Sequence, residues 1–167
     1  MDYTENLLEN LEENVKDNLS KITKVFKQIK KKKPKNLDTF VHGVHDDVFE
    51  KIDCLSCGNC CKSLGPRITD VDISKMAKYL KIKPSKVVTD YLRMDEDNDY
   101  VFKTMPCPFL MPDNYCMIYE SRPKACREYP HTDRRRFYQV LDLSIENLKT
   151  CPAVLEVSKA IVDEFER

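Results

Sequence analysis

Cys54, Cys57 and Cys60 follow one another at two-residue intervals, and Cys61 comes directly after, so four thiols crowd into eight residues. Thiols this dense pair as disulfides, ligate metal or react as nucleophiles. Outside the cysteines no nucleophile–base pair is recognisable. Two C-x2-C steps bring three thiolates onto one ion or one cluster face only if the backbone turns sharply, and Gly58 supplies that freedom. Backbone N–H groups around such a loop also donate to sulfur and favour the ligating thiolate. The spacing is that of bacterial-type [4Fe–4S] ferredoxins, except that their next step, x3-C-P, is missing, because position 64 is leucine. A fourth ligand must come from further along the chain. Cys107 and Cys151 each precede a proline, and Cys116 and Cys126 are further candidates.

A structural zinc makes the same demand for four ligands. The eight cysteines suffice for two such sites, or for one site with spare thiols. We expect Cys54, Cys57 and Cys60 to share one metal with at least one distant cysteine, which requires the two cysteine blocks to meet in space. Taken singly, Cys107, Cys116, Cys126 and Cys151 also suit a buried thiol packed as a small hydrophobe. His42 and His45 lie just upstream of the first block and His131 follows Tyr129-Pro130. His42 and His45 suit zinc ligation or, with thiolates so abundant, a surface or capping role, and the second is preferred; His131 reads as structural.

The surrounding composition decides between disulfides and metal. The N-terminal run MDYTENLLENLEEN is acidic and lacks the apolar core of a secretory signal, so a cytoplasmic, reducing setting is expected, where disulfides are rare. No stretch approaches the roughly 18 apolar residues of a membrane span. In 167 residues, 41% apolar and 34% charged, there is enough for a hydrophobic core and too much for disorder. Lys plus Arg and Asp plus Glu are both 28, so no net charge draws the chain to nucleic acid or anionic lipid. Three glycines leave no Gly-rich phosphate loop.

The elements that must position the thiols read as mainly α, with a loop-rich, cysteine-rich metal-binding core and little β. Leu8, Leu11, Val15, Leu19, Ile22, Phe26 and Ile29 recur at three- and four-residue spacings, predicting one amphipathic helix from about Asp2 to Lys33. Its acidic start and lysine-rich end (Lys27, Lys30–Lys33, Lys35) suit the helix dipole, and Pro34 stops it. The seam is narrow, as in a coiled coil. An amphipathic helix lying on its own domain fits this pattern, and so does a docking helix; on the second reading residues 1–34 are an interaction helix, for a protein partner or self-association, and 35–167 the metal-binding domain. Two helices are predicted between Thr69 and Tyr91, the first capped by Thr69 or Asp70, the second with Pro84 just inside it. An acidic loop at 95–99 precedes a short strand near Tyr100–Lys103. The proline-rich stretch 106–130, which carries Cys107, Cys116 and Cys126, reads as a clamp with little regular structure. Residues 137–143, FYQVLDL, alternate weakly and suggest a strand, and a last helix spans about Pro152 to Glu166.

The motifs CLSCGNCC at 54–61, CPFL at 107–110, Cys116-Met-Ile-Tyr119 and SRPKACREYP at 121–130 together resemble the YkgJ-like cysteine-cluster proteins, a zinc- or iron-chelating CxxCxxCC domain. The resemblance covers about residues 50–155 and includes the helical pair between the cysteine blocks; the N-terminal helix lies outside it. It implies metal chelation by the cysteines. A related segment in flagellin lysine methylases implies iron–sulfur ligation as a carry-over. Tyr119, Arg122 and Arg127 match the IY and RPxxCR motifs and are cofactor-binding candidates. Arg122-Pro123 is a rigid turn carrying a cation, able to offset the dianionic charge of a tetrathiolate zinc or an oxidised [4Fe–4S] centre, or to brace loop carbonyls, or both.

Three functions fit. The first is redox or metal handling through an iron–sulfur cluster, [4Fe–4S] on the ferredoxin-like spacing, or through zinc, acting with a protein partner and not as an enzyme on its own. The second is a protein-binding module with a purely structural zinc. The third is a methyltransferase-related enzyme, for which no methyl-donor pocket is recognisable.

Overall fold

The computed structural model describes residues 3–166. In chain order the helices are α1 (Tyr3–Glu9), α2 (Leu11–Lys32), α3 (Leu37–Phe49), α4 (Cys54–Cys57), α5 (Asn59–Ser63), α6 (Asp70–Leu80), α7 (Pro84–Tyr91), α8 (Lys124–Glu128), α9 (Leu141–Asn147) and α10 (Pro152–Phe165). The strands are β1 (Leu92–Met94) and β2 (Tyr100–Phe102). The fold is thus mainly helical with little β. The chain divides into two compact units. A helical unit comprises the residues up to Cys57 and those from Pro130 onward, and a cysteine unit spans Gly58–Tyr129.

The helical unit is built by apolar burial. Leu11, Val15, Ile22, Val25, Phe26 and Ile29 of α2 enter one core with Leu37 and Val41 of α3 and with Val154, Leu155, Val157, Ile161 and Val162 of α10. Lys30 pairs with Asp142, and the Lys33 ammonium lies 5.0 Å from the centroid of the Tyr138 ring, so part of the lysine run is used inside this unit. The division drawn from sequence at residue 34 therefore differs from the observed one. The N-terminal seam is narrow, but its own chain covers it. Only Leu19 of the seam's larger residues is left substantially exposed.

Other differences have local causes. The single N-terminal helix is interrupted at Asn10, and its expected start at Asp2 lies outside the described residues. Residues 137–143 form a short 3-10 turn (Phe137–Gln139) and the start of α9 in place of a strand. There Phe137, Val140 and Leu141 are the buried residues, at helical spacing. Helix α3 was not expected at all. Its Asp38 carboxylate accepts the backbone N–H groups of Arg136 and Phe137, which fixes the return of the chain.

The cysteine unit has a smaller core: Ile68, Ile73, Met76, Ala77, Val87, Leu92, Phe102, Phe109 and Ile118. Its two main helices begin where the sequence predicts. Thr69 caps α6 in a reciprocal box with Asp72, and Pro84 opens α7. Strands β1 and β2 pair antiparallel, Leu92 opposite Phe102 and Met94 opposite Tyr100. The turn is held by Asp95, whose carboxylate accepts the N–H groups of Asp97 and Asp99. The expected strand near Tyr100 is present, and it has a partner at 92–94 that periodicity did not show.

Candidate metal centre

Within the cysteine unit, four chain segments bring thiols together. Gly58 adopts φ +56°, and a Cβ there would sit 2.8 Å from the Asn114 side chain, so a larger residue would strain the turn that leads into Cys60 and Cys61. The backbone N–H of Cys107 donates to the Cys61 carbonyl at 2.8 Å, which joins the first cysteine block to the CPFL segment. Residues 109–117 then form a miniature hairpin. The Met117 N–H donates to the Phe109 carbonyl and the Met111 N–H to the Tyr115 carbonyl, each at 2.8 Å, with Leu110 opposite Cys116. This turn folds Cys116 back toward Cys107. Cys126 arrives on α8, whose start is fixed from α6: Asp72 accepts the Lys124 N–H at 2.9 Å.

The electrostatics of these thiols are mutual. Cys107, Cys116 and Cys126 each feel the charge of Cys61, and Cys126 feels all three of the others. Burial dominates for Cys107 and Cys126 and pushes them up to about 11 and about 12, and it raises Cys116 as well. Cys61 moves the other way, to about 7. The contact with the Cys60 sulfur, 4.0 Å away, does most of this, against burial and with help from the Arg122 and Lys62 charges. Backbone N–H groups are directed at two of the sulfurs, from Phe109 and Leu110 toward Cys107 and from Ile118 toward Cys116.

Arg122 stands beside this set. Its guanidinium lies 3.5 Å from the centroid of the Tyr119 ring, and its Nε donates to the Tyr119 carbonyl at 2.9 Å. Arg127 donates to the Arg122 carbonyl. The charge of Arg122 favours the thiolates of Cys61, Cys116 and Cys126. One side chain thus both bonds a loop carbonyl and faces the thiols with positive charge.

The remaining three cysteines form a separate set in the helical unit. Cys54 is exposed and Cys57 buried on α4. Asp53 caps that turn through the Leu55 N–H (2.9 Å) and the Ser56 hydroxyl (3.2 Å), and its own N–H donates to Thr4 of α1 at 3.0 Å. Cys151 sits at the N-cap of α10, where the N–H groups of Ala153 and Val154 point at its sulfur. Burial pushes it up to about 12, and the charges of Cys57 and Cys54 add to the rise. Cys54 and Cys57 therefore fall in one unit with Cys151, and Cys60 falls in the other with the distant cysteines.

Neither upstream histidine is placed as a ligand. His42 meets the Arg134 carbonyl at 3.2 Å, and His45 meets the buried Thr132 hydroxyl at 2.7 Å. Residues that sequence reading passed over, Thr4, Asp53 and Asp72, prove to hold the cysteine-bearing turns. Only the Thr69-x-x-Asp72 box carried a local signal.

Among the described residues no three His, Cys, Asp or Glu side chains yet converge closely enough to enclose an ion. The fit of a metal rests on the chemistry of the donors: several thiols in one another's field, sulfurs with N–H groups aimed at them, and an adjacent guanidinium. A soft, thiophilic ion is what such a set suits. These features define a cysteine-based metal-chelating domain.

Residues 53–152 match the CxxCxxCC family, described as a "putative zinc- or iron-chelating domain", and the chain belongs to that family. It is also similar to a protein of Methanocaldococcus jannaschii called "Uncharacterized protein MJ0661", at 30% identity over 145 residues, covering 83% of this chain and 74% of that one. No solved structure matches the chain. Metal binding through the cysteines follows from the family. No helix among the described residues is long and apolar enough to cross a membrane.

Proposed function

We propose that this chain is a cytoplasmic redox or metal-handling protein that works with a protein partner, and that Cys61, Cys107, Cys116 and Cys126 ligate an iron–sulfur cluster of the [4Fe–4S] type. The set of N–H groups aimed at the Cys107 and Cys116 sulfurs carries the proposal. An N–H donor stabilises a thiolate over a thiol, so these loops suit sulfur that bears charge. Cys60, in contact with Cys61, is the reserve ligand of that set. Arg122 offsets the thiolate charge, the Tyr119 ring packs against its guanidinium, and Arg127 braces its backbone. When bound, such a cluster supplies one-electron transfer. Cys54, Cys57 and Cys151 are proposed ligands of a separate metal in the helical unit.

A second reading, a protein-binding module in which zinc only staples the loops, is favoured by one observation: Cys126 is buried enough to be pushed up to about 12. A ligand so withdrawn suits a static site. Metal and sulfide analysis of the full chain, isolated without oxygen, separates the readings. Iron with acid-labile sulfide and a broad blue-visible absorption supports the cluster; colourless protein holding zinc supports the staple; protein isolated with neither metal overturns both.

A further inference from the structure

The cysteine unit carries a basic groove in which, of the lining side chains, only Arg127 also serves the thiol site. Its volume is about 610 Å³, and it is lined by Lys75, Lys78 and Tyr79 of α6, Glu120 and Ser121, and Arg127 of α8. Three cations face one carboxylate there. Neither lysine belongs to an ion pair among the described residues. The groove runs into the segment that bears two of the cysteines. The Tyr79 hydroxyl donates to the Met117 carbonyl at 3.0 Å, one residue past Cys116, and Arg127 follows Cys126 directly. The margin is aromatic and exposed. Tyr79, Tyr115, Met117 and Tyr119 are each more than 40% accessible, Tyr115 stacks on Tyr119 at 5.8 Å, and Arg122 covers Tyr119.

We infer that this groove is the docking surface for an acidic segment of a protein partner, an inference that rests on the proposed metal-centre function. Charge complementarity names the occupant: a surface on which three cations outnumber one carboxylate, with neither lysine ion-paired, attracts carboxylates and steers their approach. Exposed Tyr, Met and Arg side chains are those that anchor protein interfaces. The groove is open to solvent, between α6 and the 120–127 segment. Its place beside Cys116 and Cys126 puts a docked partner next to the proposed centre, where electrons or metal would pass. The apolar seam of the N-terminal helix, by contrast, is already covered by α10 and α3.

The test uses the full chain as isolated and a fluorescein-labelled polyglutamate peptide as probe, read by anisotropy at several salt concentrations. Wild type should bind saturably and lose affinity steeply with salt. Lys75→Glu with Lys78→Glu should weaken binding by about tenfold or more, while metal content and melting stay unchanged. If the charge reversals perturb folding, Lys75→Gln with Lys78→Gln should weaken binding in the same direction. The control Lys31→Glu with Lys32→Glu, on α2, should leave binding as it is. Equal binding by the groove variants overturns the inference. So does displacement of the peptide by inorganic phosphate or ATP at matched ionic strength, which would make the groove a small-anion site. Protein that is isolated without oxygen holding neither iron nor zinc, yet binds peptide through Lys75 and Lys78, overturns the metal-centre reading and leaves the docking surface standing.

Discussion

The two units solve the problem of folding differently. The helical unit joins α2, α3, α9 and α10 over a large apolar core in which Ile22, Val25, Phe26, Val154, Val157 and Ile161 are almost fully enclosed. The cysteine unit strings short elements along loops around a smaller cluster, and five of its residues are cysteines. Small apolar cores stabilise weakly, and loops cost conformational entropy that few contacts return. A cross-link by metal is the usual compensation. The difference teaches where the metal should matter for stability and where it should not.

The largest effect should come from taking the metal away. Structural zinc binds zinc-finger peptides with about 10–16 kcal/mol that appears as folding free energy, and a metal held by thiolates here should act in the same direction. Chelation, or Cys116→Ser in the metal-loaded protein, should therefore abolish amide protection in α6, α7 and the β1–β2 hairpin, and leave protection in α2 and α10. Hydrogen exchange read by mass spectrometry checks this. Retained protection in α6 and α7 after complete metal loss would collapse the contrast between the units.

The converse cut removes apolar volume from the other side. Phe26 is 2% exposed on α2. Phe26→Ala should cost about 3–5 kcal/mol, lower the melting temperature of the helical unit, and leave the metal stoichiometry of the cysteine unit unchanged. Loss of Cys107- and Cys116-bound metal in this variant would show that the units do not act separately. Metal analysis and calorimetry on the same sample decide it.

A middle-sized effect tests how the cysteine unit holds α8 without metal. Burial alone would raise Asp72. The Thr69 hydroxyl and backbone, the Lys124 N–H and the Arg127 charge outweigh it and hold the carboxyl below its ordinary range. A depressed carboxylate contributes stability that is fully present above the unfolded value of about 3.9 and is lost as pH falls through the folded value. Wild type should thus lose part of its stability in acid below about pH 4. Asp72→Asn should cost about 1–3 kcal/mol near neutral pH and flatten that acid slope. Denaturant melts of both proteins between pH 3 and 7 check the sign; an identical slope in the two would refute it.

How much of this was legible from the residues divides along the same line. Local chemistry was readable wherever one residue type has one use: Thr69 as a cap, Pro84 as a helix start, Gly58 as a turn with positive φ. Helix α3 was missed although Leu37, Phe40, Val41, Val44 and Val48 recur at three- and four-residue spacing, because Gly43 and the valines weaken helix propensity. The strand expected at 137–143 failed for a related reason. Seven residues are too few to separate a period of two from one of 3.6. The covered seam of α2 could not be read from α2 at all, because what covers it, α10, lies more than a hundred residues away. Likewise, the distant thiol that members of the first block influence, Cys151 for Cys54 and Cys57 and Cys107 for Cys61, is remote in sequence. Spacing shows which thiols are near along the chain, and only the fold shows which neighbours each one finds.

The smallest expected effect bears on the three thiols of the helical unit. Thr4 is fully buried on α1, and its hydroxyl accepts the Asp53 N–H, the residue that caps the Cys54–Cys57 turn. Thr4→Val keeps the shape and removes the acceptor, at a cost of about 1 kcal/mol. The global melt should barely move, because the core around Phe26 is untouched. The Asp53 N–H, left without this partner, would loosen α4, and Cys54, already exposed, should alkylate faster with iodoacetamide. Thr4→Ser, which retains the hydroxyl, should restore the slow rate. If the N-terminal segment were an appendage independent of the cysteines, the alkylation rate of Cys54 would be the same in all three proteins. A faster rate in Thr4→Val alone would tie the first helix of the chain to the first cysteine, through one hydrogen bond across 49 residues of sequence.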